Sequence, residues 1–356
     1  MTSHSVENPL GCDGFEFVEY SVPSLEEKEN LIKLFEGLGF LAVADHRSKE
    51  VTLMRQGDIN FLINAEPHTH FSTFAQAHGS SICSFAFRVK DARKALHYAL
   101  SQGAKEFIGP ADYMELRIPA VYGIGDSVLY FVDQMTGIDI YSVDFIFREG
   151  VDHHPQGVGL EVIDHLTHNV KRGNMDVWSG FYERIANFKE ARYFDIEGQE
   201  TALSSRAMFA PDGKIRIPIN ESQDEKSQIE EYLAEYRGEG VQHIALHTSD
   251  IYQTMRTLRE RGVSFQQTNE TYYEMVPDRI PNHGEDLEQL QELQILIDGN
   301  PEADGDGILL QIFTENAIGP VFFEIIQRKG NQGFGEGNFQ ALFESIEADQ
   351  IRRGVI

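Results

Sequence analysis

Ser84–Gly103, SFAFRVKDARKALHYALSQG, and His243–Gly262, HIALHTSDIYQTMRTLRERG, align without a gap. Each opens with an alternating apolar run, the pattern of a half-buried strand. Each then places an Asp, Asp91 or Asp250, where a carboxylate can accept from the free N–H groups of a helix start. Apolar residues follow at helical spacing, Leu96 and Leu100 in one copy, Met255 and Leu258 in the other. Both copies end on Gly, where a left-handed helix C-cap costs least. The two Asp residues stand 159 apart, as do Gly103 and Gly262. The chain therefore reads as a divergent internal duplication.

A looser match precedes each copy. Glu16–Phe40 reads as a strand, a capping box at Ser24-Leu-Glu-Glu27 and a helix ending at LGF. Glu161–Phe188 reads as a strand, a loop and a helix from Met175 to Asn187. Each half is then a pair of β-α-β-β units in an α+β chain. The segment Arg148–Gly159, REGVDHHPQGVG, is rich in Gly, Pro and His and suits a linker. The expected division is residues 12–148 and 158–356, because 356 residues are long for one compact domain.

Composition narrows the function classes. A net charge of −27 argues against nucleic acid and anionic membranes as partners, since both are polyanions. No apolar stretch approaches the roughly 20 residues that span a bilayer. The first residues, MTSHSVENPLGCDG, lack a basic segment followed by an apolar run, so no secretory signal is expected and the cytoplasm is the expected compartment. Cys12 and Cys83 are too few for a disulfide framework or a thiolate metal site.

Among 13 His and 57 acidic residues, the useful filter is a ligating side chain inside an apolar strand, where an unpaired polar group is costly. Ile163-Asp-His165-Leu, Val241-Gln-His243-Ile and Val321-Phe-Phe-Glu324-Ile pass it. Two His and one carboxylate form the facial triad of non-haem iron(II) oxygenases, which leaves positions open for substrate and O2. Spacings of 78 and 81 residues put the three on separate strands. In the first half Ser84 matches His243, and the match to His165 falls near Glu19, so that half is expected to bind no metal. His168, His247, His153, His154, His68 and His70 are expected to be structural or solvated.

The motifs IDHLTHNV at 163–170, GEGVQHIAL at 238–246, LLQIFTENAIGPVFFEIIQRKG at 309–330 and GFGEGNFQALFESIE at 333–347 closely resemble the 4-hydroxyphenylpyruvate dioxygenase family. The resemblance covers essentially the whole chain. It implies two vicinal-oxygen-chelate domains of paired βαβββ modules, with a C-terminal helix over the active site. It assigns His165, His243 and Glu324 as ligands of Fe(II), and 4-hydroxyphenylpyruvate and O2 as substrates. Pocket roles fall on Ser205, Asn220, Gln228, Gln242 and Gln311, and on Phe313, Phe322, Phe334, Asn338 and Phe339. Gln242 is the least expected of these, because on an ideal strand it points away from His243. Phe339, Leu342, Phe343 and Ile346 are spaced as the buried stripe of a helix. The implied reaction is oxidative decarboxylation, ring hydroxylation and side-chain migration to homogentisate, by a homodimer or homotetramer.

Three other readings fit parts of the pattern. A 4-hydroxymandelate synthase would share fold, ligands and substrate. An extradiol catechol dioxygenase would share the ligands, but not the Gln and Phe motifs. A metal-free binding protein of the same fold would survive loss of His243 unchanged.

Overall fold

The computed structural model describes residues 7–110, 115–133, 139–197, 202–301 and 307–352. The first sheet contains β1 (Cys12–Ser21), β2 (Leu41–His46), β3 (Val51–Gln56), β4 (Ile59–Asn64), β5 (Ser81–Val89), β6 (Ala120–Tyr122), β7 (Val128–Val132) and β8 (Phe145–Phe147). The second contains β9 (Leu160–Val170), β10 (Lys189–Glu197), β11 (Ala202–Phe209), β12 (Arg216–Ser222), β13 (Gly240–Thr248), β14 (Leu296–Gly299), β15 (Ile308–Phe313) and β16 (Phe322–Lys329). Their orders are β6-β7-β5-β1-β4-β3-β2-β8 and β10-β11-β12-β9-β13-β16-β15-β14.

Both sheets follow one plan. At each centre the opening strands of two units run antiparallel, β1 with β5 and β9 with β13. Each centre strand is flanked by a parallel strand of its own unit, β4, β7, β12 or β16. Three units are complete βαβββ modules. The unit opened by β5 departs from that pattern: β8 crosses to pair with β2 and covers the opposite edge of the sheet.

The local signals fold as their chemistry dictates. Asp91 accepts from Lys94 N, and Asp250 from Gln253 N, both at 3.0 Å. Ser24 Oγ accepts from Glu27 N at 3.1 Å. Helix Met175–Ala186 ends on a left-handed Asn187.

Strand register corrects one sequence match. Ser84 does correspond to His243, but His165 corresponds to Phe17, since each lies opposite the equivalent Ala, Ala245 or Ala86. Glu19 takes the place of Thr167, and Tyr130 that of Glu324. Register shifts within the β1–β5 and β9–β13 pairs make residue counting misleading here.

The segment 148–159 is packed rather than loose. Gln56 Oε1 accepts from Val158 N at 2.6 Å, and Gly57 N donates to Pro155 O at 2.8 Å. Gly157 has φ +56°, and a Cβ there would lie 2.2 Å from Gln56 Oε1. A continuous apolar core joins the two halves. Phe35 and Phe61 approach Phe323 at 6.1 and 6.2 Å, and Phe87 stacks on Phe188 at 5.8 Å. Among the described residues no helix is long and apolar enough to cross a membrane.

His168 belongs to this shared core. It is fully buried, 2.7 Å from the Tyr182 hydroxyl and 5.8 Å from the Phe85 ring. Burial lowers its pKa to about 3. A base depressed in the folded state supports folding above about pH 6.5, and that support fades as pH falls toward 3. Between pH 6.5 and 5 this one group is expected to remove about 2 kcal/mol of stability. Urea unfolding of wild type and His168→Gln at both pH values checks it: the variant should show a shallower loss, and equal losses would refute the assignment.

Candidate metal centre

His165, His243 and Glu324 come from three adjacent strands, β9, β13 and β16. Their ligating atoms lie within 4.8 Å of one another. Glu324 Oε2 is 3.1 Å from His165 Nε2 and 3.4 Å from His243 Nε2. Each imidazole is fixed through its other nitrogen. His165 Nδ1–H donates to Asp164 Oδ1 at 2.8 Å, and His243 Nδ1–H to Gln242 Oε1 at 3.0 Å. These tautomers follow from the acceptors present, and they leave both Nε2 atoms for a ligand role.

The backbone explains why the neighbour in sequence can be the acceptor. His243 pairs with Thr167 and Val241 with His168, so Gln242 is an extra residue in β13. Ala245 pairs with His165 and Leu246 with Ile163, so Asp164 is an extra residue in β9. A bulge re-aims the side chain that strict alternation would send to the other face. Both acceptors therefore sit beside their His. Gln242 reaches the site by supporting His243, contrary to the ideal-strand expectation.

Electrostatics suit a cation. Burial favours a neutral Glu324, but the neighbouring His165 and His243 outweigh it and hold its pKa below the usual value. Burial pushes His165 down, while Glu324 and Asp164 raise it above an ordinary imidazole. His243, for which burial prevails, is lowered. Glu324 Oε1 is buried without a hydrogen-bond partner. A buried carboxylate with one oxygen, Oε1, lacking any donor and the other, Oε2, beside both imidazole Nε2 atoms fits a divalent metal of the nitrogen and oxygen class.

Around the triad, register places the pocket residues on one face. Phe322 pairs with His243, and Phe313 with Glu324. Phe322 stacks on the His243 ring at 4.9 Å, so it is a wall of the site and not plain core. Phe313 lies 6.3 Å from His243, and Phe334 meets His165 edge-on at 5.1 Å. Gln311 is fully buried, and neither amide atom has a partner. Gly335, φ +74°, approaches it so closely that a Cβ would lie 2.1 Å from Nε2. One step along the sheet, Ser205, Asn220 and Asn169 form a row in register.

Three sequence expectations need correction. Gln228 is exposed at the start of helix Gln228–Tyr236, whose capping Ser227 turns it outward. Asn338 is buried, but its Oδ1 accepts from the Tyr272 hydroxyl at 2.6 Å and so anchors the C-terminal helix Glu336–Arg352 to its neighbour. Phe339 is 38% exposed. Among its described side chains the helix buries Asn338, Ala341 and Ser345. Leu342 packs partly against the core, while the side chains of Phe343 and Ile346 lie outside the described residues.

Comparison with known proteins agrees with the geometry. Residues 6–146 match the family model described as hydroxyphenylpyruvate dioxygenase, N-terminal, and residues 162–275 that of the glyoxalase, bleomycin resistance protein and dioxygenase superfamily. The chain is 63% identical to the 4-hydroxyphenylpyruvate dioxygenase of Pseudomonas aeruginosa, over 98% of this chain and 97% of that protein. The chain belongs to the 4-hydroxyphenylpyruvate dioxygenase family. It is also 53% identical to the 4-hydroxyphenylpyruvate dioxygenase of Legionella pneumophila (strain Corby), over 98% of each chain. Identity to Hemolysin VllY of Vibrio vulnificus is 64%, again over 98% of each. A solved triple mutant of 4-hydroxymandelate synthase from Streptomyces coelicolor superposes with a TM-score of 0.81 at 26% identity, covering 96% of this chain and 99% of that one.

Sequence reading missed Asp164, Arg328 and Arg216. Arg328 donates to both Asp164 oxygens, Nη2 at 2.7 Å and Nε at 2.8 Å, and Arg216 Nη1 adds a third bond at 3.1 Å. Burial opposes the Asp164 charge, but Arg328 and His165 together hold its carboxyl well below the usual range. Arg328 Nη1 also donates to Gly333 O at 2.6 Å, and its guanidinium lies 5.6 Å from the Phe334 ring. One side chain thus ties His165 to the loop that carries Phe334. The available signal was Asp164 itself, a carboxylate beside a ligand His inside an apolar strand.

Proposed function

We propose that this chain is an iron(II) dioxygenase that converts 4-hydroxyphenylpyruvate and O2 into homogentisate and CO2. The observation that carries this reading is the triad with both Nε2 atoms aimed at one Glu324 oxygen, in a chain 63% identical to an enzyme of that name. Fe(II) held by His165, His243 and Glu324 would supply a Lewis-acidic, redox-active centre able to hold a 2-oxo acid beside O2. Both oxygen atoms of O2 are retained, one in the new carboxylate and one in the ring hydroxyl, while the old carboxylate leaves as CO2.

The chain's own residues bind, orient and exclude water. Gln311 offers a buried donor and acceptor without adding a charge that would compete for the metal. Ser205 and Asn220 offer the same chemistry from β11 and β12. Phe313, Phe322 and Phe334 suit an aromatic substrate and keep water from a reactive centre. Gln242 orients His243. Gln228 and Phe339 take no part in this reading, and Asn338 acts by docking the helix. The family reading also carries a cytoplasmic homodimer or homotetramer in tyrosine and phenylalanine catabolism.

A 4-hydroxymandelate synthase is the second reading, favoured by the structural match at 26% identity but set against 53–63% identity to the dioxygenases. The iron-loaded protein should consume O2 with 4-hydroxyphenylpyruvate and give homogentisate by mass spectrometry. Hydroxymandelate would transfer the assignment to the synthase, and iron binding without O2 uptake would end both.

A further inference from the structure

A cavity of about 340 Å³ lies on the first sheet. Phe17, Glu19 and Tyr130 line it, the residues that register sets at the places of His165, Thr167 and Glu324. It is the counterpart of the metal pocket in a half whose triad positions hold Phe17, Ser84 and Tyr130. A half without ligands would gain dispersion energy by filling such a space with larger side chains. The space instead falls in the range of small-molecule sites.

Its floor carries a buried acid. Glu19 is 6% exposed and accepts from Ser84 Oγ at 2.5 Å and Asn64 Nδ2 at 2.7 Å. Burial raises its pKa despite those bonds. A carboxylate buried among Phe17, Leu62 and Tyr130 is costly unless a cation faces it. Lys49, the cation whose charge reaches Glu19, is already paired with Glu115 at 2.5 Å. Glu66, Glu106 and Asp144 add to the acidic lining, against Lys49 and Arg117. Phe71, Phe107 and Tyr130 supply aromatic walls.

We propose that this cavity binds a small aromatic amine, with its ring against Phe107 and Tyr130 and its ammonium group toward Glu19. The site is separate from the metal centre and does not rest on the reaction assigned to it. Phenethylamine and 3-phenylpropionate, similar in shape and opposite in charge, are the probes. In calorimetric titration of the iron-loaded full chain the amine should bind saturably and the acid at least about tenfold more weakly, as one charge-assisted contact dictates. Glu19→Gln should weaken the amine by about tenfold or more, and Val51→Phe, which fills the cavity, should abolish binding. Turnover of 4-hydroxyphenylpyruvate should be unchanged in both. No amine binding, equal binding of the acid, or binding that survives both substitutions would overturn the proposal; the first two outcomes need no variant to fold.

Discussion

Glu324→Ala and His165→Ala should lose bound iron and O2 uptake together. Each removes one of three ligands, and in Glu324→Ala the only carboxylate of the triad disappears. The loss should exceed the roughly 10–100-fold that removing an outer hydrogen-bond partner of a metal ligand costs. Glu324→Gln is the informative contrast, because it keeps the shape and discards the charge that His165 and His243 stabilise. It should hold iron less well than wild type and better than Glu324→Ala. Colorimetric iron analysis alongside an oxygen electrode checks this, and a variant with full iron content and normal uptake would remove that residue from the triad.

Arg328→Met should damage both stability and metal affinity. Asp164 is 4% exposed and takes two of its three arginine bonds from Arg328. Removing Arg328 leaves the buried Asp164 charge to Arg216 and His165 alone, and breaking a buried pair in this way costs up to about 3–5 kcal/mol. The same change releases Gly333 O and the cation over Phe334. With His165 less firmly oriented, iron affinity should fall by roughly 10–100-fold. Arg328→Lys keeps the charge but not the two-pronged geometry, so it should be intermediate on both measures. Urea unfolding and iron titration read the two effects separately. Native iron affinity in Arg328→Met would show that Asp164 needs no anchor.

The duplication was legible because Asp91 and Asp250 each cap a helix by local chemistry, and local chemistry is what sequence spacing reports. The triad was legible because His165, His243 and Glu324 interrupt apolar strands, and buried polar groups are rare enough to stand out. What stayed hidden was mostly nonlocal. Strict alternation sends Gln242 away from the site, and only the paired strand reveals the bulge that brings it back. Arg328 meets Asp164 across 164 residues of chain, a partnership that no window of sequence contains. The phase of the C-terminal helix depends on Tyr272, which claims Asn338 and leaves Phe339 toward solvent.

The apolar face shared by the two halves also bears on synthesis. Phe35, Phe61, Phe85 and Phe87 of the first half find His168, Phe188 and Phe323 only after those residues have left the ribosome. Until then a first half that has folded on its own carries a bare aromatic surface, the kind of surface that nascent chains aggregate through and chaperones cover. Slow translation of residues 160–330 would prolong that exposure, so the yield of this protein in a cell should be governed by how quickly its second half follows its first.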